Sequence, residues 1–133
     1  MKKNRNEIKK ITRKALRKTK SWQVHYAEAL RVSGKYYALA GKKKKSEKLF
    51  IHSIQVADRL NQKYESGKSH YEYALVLKNS GKFGEAKKNL ESAYIAFKEI
   101  GSLDYLKRVS GILGINDAGK EETADSIQHL KNR

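Results

Sequence analysis

Apolar residues recur every three or four positions through most of the chain, as in Trp22, Tyr26 and Leu30, or Tyr73 and Leu77. That period is one face of an α-helix, and no segment shows the two-residue alternation of a half-buried strand. Gly41, Gly67, Gly81 and Gly101 each follow a periodic apolar stretch, where a left-handed residue ends a helix. Start signals stand at Asn4-Arg5-Asn6-Glu7, at the capping-box pattern Ser69-His70-Tyr71-Glu72, and at Ser102 with Asp104. Together they predict helices over 5–19, 22–40, 44–62, 69–79, 84–100 and 103–113, the first two separated only by Thr19-Lys20-Ser21. Short connections predict antiparallel neighbours. The expected fold class is all-α, built of antiparallel helical hairpins.

Sliding the chain over itself by 40 positions superimposes Gly41-Lys42 on Gly81-Lys82. The same shift pairs small residues with small ones (Gly34/Ala74, Ser46/Ala86, Ser53/Ala93) and bulky with bulky (Tyr37/Leu77, Phe50/Leu90, Ile54/Tyr94). Size-class conservation of this kind is what stacked hairpins require, since small residues let helix axes approach and large ones fill the space beside them.

Tyr73-Ala74, Leu77, Gly81, Phe83, Ala86, Leu90 and Ala93 resemble the tetratricopeptide repeat (TPR), and Gly34, Tyr37, Gly41 and Phe50 echo it once more. Lys43 stands where that family has an aromatic, Ser46 where it has Ala, and the period is longer than usual. Gly34 through Lys42, Tyr71-Glu72-Tyr73-Ala74 and Ala93 through Gly101 further resemble the C-terminal TPR-like region of multidomain bacterial signalling ATPases that carry kinase-like or nucleotide-cyclase modules. The resemblance implies a short TPR-like α-solenoid with flanking helices. Its parts would be a basic helix over 1–20 packing on the repeats, two hairpins and a closing helix over 21–115, and a polar tail over 116–133. It also implies a non-catalytic protein–protein interaction scaffold of signalling or regulatory type. Groove-lining positions then fall on Glu28, Arg31, Lys35, Ala38 and Leu39, and on Lys68, Tyr71, Leu75, Lys78 and Asn79.

Charge qualifies this picture. The 133 residues carry a net +16, of which residues 1–20 supply ten basic groups against Glu7. A second concentration, Lys42-Lys43-Lys44-Lys45 with Lys48, lies at a helix start, where basic charge opposes the helix macrodipole. This run is a candidate site for an anion or acidic partner, so the expected occupant of the scaffold is an acidic peptide or partner helix. The alternative is sequence-nonspecific nucleic-acid binding through the basic N-terminal helix and the Lys42–Lys45 turn, with steep salt dependence. Exposed terminal helix faces would also permit a homo-oligomer.

Candidate chemistry changes little. Gly34 and Gly41 do not have phosphate-loop spacing, and Lys43 replaces the hydroxyl such a loop needs. His25, His52, His70 and His129 fall outside zinc-protease spacing, and no Gly-x-Ser-x-Gly elbow occurs. No enzyme, cofactor or metal is expected. Zero Cys fits a reducing cytoplasm, and no apolar run is long enough for a membrane span.

Overall fold

The computed structural model describes residues 5–11 and 22–115. The second half of the expected basic helix, the junction at 19–21, the side chain of Trp22 and the tail over 116–133 lie outside the described residues. Residues 5–11 are helical and are termed α1. Then follow α2 (Trp22–Leu39), α3 (Lys43–Arg59), α4 (Lys63–Asn79), α5 (Phe83–Ile100) and α6 (Leu103–Leu113). No strand occurs among the described residues. The protein is all-α, with α2/α3 and α4/α5 as antiparallel hairpins and α6 packed on α5.

Four turns of one design connect these helices. Gly41, Asn61, Gly81 and Gly101 all take positive φ, at 78°, 58°, 78° and 72°. In each turn the next N–H reaches back five residues: Lys42 to the Tyr37 carbonyl (2.8 Å), Gln62 to Ala57 (2.8 Å), Lys82 to Leu77 (2.9 Å) and Ser102 to Phe97 (3.0 Å). This is the Schellman arrangement, which satisfies carbonyls that a helix end would leave unpaired. The left-handed residues fall every 20 positions. The 40-residue sequence repeat is therefore two equal helix-plus-turn steps.

One expected element differs. The fourth helix begins at Lys63, and the helix before it ends at Arg59. The left-handed stop is Asn61, because the Asn side chain tolerates that region better than most residues do. Gly67 lies inside α4, where an added Cβ would come within 2.9 Å of Phe97 Cε1. It is a close-packing residue, not a terminator. The Ser69-to-Glu72 pattern likewise lies in mid-helix and caps nothing.

The main core joins both hairpins and α6: Phe50 from α3, Tyr73, Ala74 and Leu77 from α4, Leu90, Tyr94 and Phe97 from α5, and Leu106 and Val109 from α6. A smaller cluster, Ala27, Leu30, Val56 and Ala57, closes the far end of the first hairpin. Small residues set the approach of the helices. Phe50 packs against Gly34, where an added Cβ would be 2.9 Å from its ring. Ser46 and Ser53, buried where the second hairpin has Ala86 and Ala93, donate to the carbonyls of Gly34 and Ala27 at 2.6 Å each. Ser53 also meets Ser69 of α4 at 2.7 Å, so these three buried serine hydroxyls are all partnered.

Candidate functional site: the groove between α2 and α4

Because each hairpin reverses the chain, α2 and α4 run parallel and side by side, and their facing sides form one edge of the stack. Arg31 closes the lower part of this edge. Its guanidinium is buried and held by two carboxylates: Nη1 donates to Glu72 at 2.9 Å and Nη2 to Glu65 at 3.0 Å. Lys35, one turn further on, also donates to Glu72, at 3.1 Å. Burial alone would lower the Arg31 pKa. Hydrogen bonds and charges from Glu72 and Glu65 outweigh it and hold the pKa above its ordinary value.

Above this ion-pair cluster the helices enclose an open cavity of about 320 Å³. Its floor is apolar, from Ala38, Tyr71, Leu75 and Val76, with the exposed Leu39 at its edge; its rim is polar, from Lys35, Lys43, Glu72, Asn79 and Ser80. The predicted groove positions Lys35, Ala38, Leu39, Tyr71, Leu75 and Asn79 thus share one cavity. Arg31 is committed to the ion pairs beneath it. Glu28 lies outside, near His25 (3.7 Å), Lys68 sits over the Tyr64 ring at 4.9 Å, and Lys78 is exposed away from the cavity lining.

The Lys42–Lys45 run splays apart. Lys42 is the residue before α3, Lys43 turns to the groove, Lys44 is exposed, and Lys45 lies 4.4 Å over the Tyr37 ring. Of the four, only Lys43 can address an occupant of the groove. Sequence reasoning missed Glu72, which links the ion pairs to the rim. The available signal was the spacing of Glu65 and Glu72: seven residues place both on one helix face, opposite Arg31 and Lys35.

The next seam, between α4 and α6, is aromatic. Tyr105 stacks on Phe97 at 4.7 Å and meets Tyr71 and Tyr64 edge-on at 5.8 Å each. Burial raises the Tyr105 hydroxyl pKa, with Tyr64 and Glu72 adding to it. A second cavity, also about 320 Å³, lies on the other side of the stack and includes Asp58, Ser66, His70 and Glu99. There Ser66 donates to Asp58 at 2.7 Å, and His70 Nδ1 shares a 2.7 Å hydrogen bond with Asn89 Oδ1. Among the described residues no three His, Cys, Asp or Glu side chains gather as metal ligands, and no helix is long and apolar enough to cross a membrane. No family model, curated protein or solved structure matches the chain.

Proposed function

We propose that this chain is a non-catalytic, TPR-type interaction module of a signalling or regulatory protein, and that the α2/α4 groove receives an acidic peptide segment. The observation that carries this reading is the cavity's composition: an apolar floor of Ala38, Leu75 and Val76 with Leu39 at its edge, and Lys35 and Lys43 on its rim. A side chain such as Leu or Phe would enter the floor and release water from it. Carboxylates flanking that anchor would meet the two ammonium groups, and Asn79 adds an amide at the rim. Glu72 is engaged by Arg31 and Lys35, so its charge is largely offset for an incoming anion.

The test is an array of short acidic peptides with one central Leu or Phe, probed with the wild-type chain and with Lys35→Glu/Lys43→Glu. The wild type is expected to bind a subset, and the double variant to lose at least about tenfold in affinity for that subset. Absence of any bound peptide, or equal binding by the variant, refutes the reading.

A further inference from the structure

The turns at 40–42 and 80–82 lie at the same end of the stack, since α2 and α4 are parallel neighbours and Lys82 reaches Glu47 of α3 at 3.8 Å. That end is strongly basic. Residues 41–48 and 78–88 hold nine Lys against Glu47 and Glu85 alone. The opposite end, 58–65 and 98–108, holds five basic groups against four acidic ones.

Two large apolar side chains also project from the basic end. Leu39, the last residue of α2, is 86% exposed, and Phe83, the first of α5, is 65% exposed. Leu103 at the opposite end is as exposed, at 73%, but has no such lysine excess around it; the basic end joins exposed apolar area that a partner can cover to one sign of charge. Leu39 precedes the Lys42–Lys45 run, and Phe83 follows Lys82.

We infer that this end of the module docks on an anionic lipid bilayer surface, with Leu39 and Phe83 entering the interfacial region and the surrounding lysines meeting the headgroups. Lysines beside an anionic leaflet each strengthen binding roughly fivefold, and long Lys stems let the ammonium stay at headgroup depth while apolar neighbours go deeper. Charge alone would suit a nucleic-acid backbone equally well. The apolar pair favours lipid: a Leu cannot stack on a base, whereas Leu and Phe both partition into the acyl boundary. This inference goes beyond the groove reading and does not depend on it: Leu39 borders the groove, but Phe83, Lys44, Lys82 and Lys88 are not among the groove residues.

The test is co-sedimentation of the full chain with phosphatidylcholine vesicles and with phosphatidylcholine–phosphatidylserine vesicles. The chain is expected to bind only the anionic vesicles. Leu39→Ser/Phe83→Ser should weaken that binding by about tenfold or more, and Lys44→Glu/Lys88→Glu by a similar factor. Leu103→Ser removes a side chain that is 73% exposed at the opposite end, and should stay within about twofold of wild type. All variants keep the N-terminal lysines, so the comparison isolates this end. Circular dichroism checks that each variant is folded. Three results overturn the proposal: no binding to anionic vesicles, Leu39→Ser/Phe83→Ser binding as wild type does, or Leu103→Ser losing as much as that double variant. A chain that retards duplex DNA yet ignores anionic vesicles overturns it in favour of nucleic acid.

Discussion

The internal repeat supplies its own double-mutant experiment. Gly34 and Phe50 face one another in the first hairpin; the equivalent residues of the second, 40 positions on, are Ala74 and Leu90. The second pair exchanges ring volume for a methyl group at the same contact. In Gly34→Ala the new Cβ would lie 2.9, 3.0 and 3.2 Å from Phe50 ring carbons. The ring cannot easily yield, because Phe50 is fully buried and stacked on Tyr73 at a centroid distance of 5.4 Å. Overpacking of this kind costs about 1–3 kcal/mol, against a gain of about 1 kcal/mol from replacing Gly in a helix. The net expectation is a loss of about 1 kcal/mol. Phe50→Leu removes buried volume and ring stacking, for a loss of roughly 1–2 kcal/mol. Combining the two recreates the second hairpin's contact. The double variant should therefore be more stable than the sum of the singles by about 1 kcal/mol or more, read from urea midpoints by circular dichroism. Gly111→Ala, whose Cβ meets nothing within 4 Å, is the control and should gain up to about 1 kcal/mol. Additivity of the pair within about 0.5 kcal/mol would refute the claim that Gly34 is required by Phe50.

Two further perturbations probe the charged seam and the second cavity. Arg31→Met strands Glu65, which is only 19% exposed, and leaves Glu72, 15% exposed, with Lys35 as its partner; it should cost about 2–3 kcal/mol, and Arg31→Met/Glu65→Leu/Glu72→Leu should recover most of it. A single variant that unfolds at the wild-type urea concentration would show that the cluster contributes nothing. His70 is held below the ordinary imidazole pKa by burial, against the Asn89 hydrogen bond and the charge of Asp58. The folded chain then binds fewer protons than the unfolded one, so this contribution to stability is present above about pH 6.5 and is lost as pH falls toward the folded-state value. Urea midpoints at about pH 7.5 and about pH 5.5 should differ less in His70→Gln than in wild type, and an unchanged difference would count against the buried-imidazole account.

How far the sequence carried depended on whether a residue acts locally. Gly41, Gly81 and Gly101 end helices through their own backbone freedom, and their role was legible from position alone. Gly67 looked the same, but its reason for being Gly is Phe97, thirty residues away in sequence and 2.9 Å from the missing Cβ. Asn61 does the local work instead, in a residue type that only sometimes adopts positive φ. The groove divides on the same principle. Helical phase and the 40-residue offset suffice to bring Lys35, Leu39, Tyr71, Leu75 and Asn79 to one side. They do not reveal that Arg31, in phase with Lys35, is buried by two carboxylates of another helix.

The opening lies between α2 and α4, and not between α4 and α6, for a reason written in equivalent positions. Arg31 and Glu65 form the first seam; Tyr71 and Tyr105, each 40 residues later, form the second. The second seam also carries Tyr64 and Phe97 against Tyr105, so rings fill it. The first is held by narrow, directional ion pairs that fix the helices but leave volume above them. Helix length adds to the contrast. α6 has 11 residues against 17 in α4, about 16 Å against 26 Å of axis, so it stops near the level of Tyr73. The last turns of α4, with Leu75 and Asn79, therefore have α2 as their parallel neighbour and no counterpart from α6. An extended segment lying in the groove would read the C-terminal halves of α2 and α4 together. Its selectivity would rest on Lys35, Lys43 and Asn79 around Leu39 and Leu75; of these, Lys43, Asn79, Leu39 and Leu75 are the side chains whose substitution should alter which peptides bind while leaving the ion-paired seam below them intact, since Lys35 also holds Glu72.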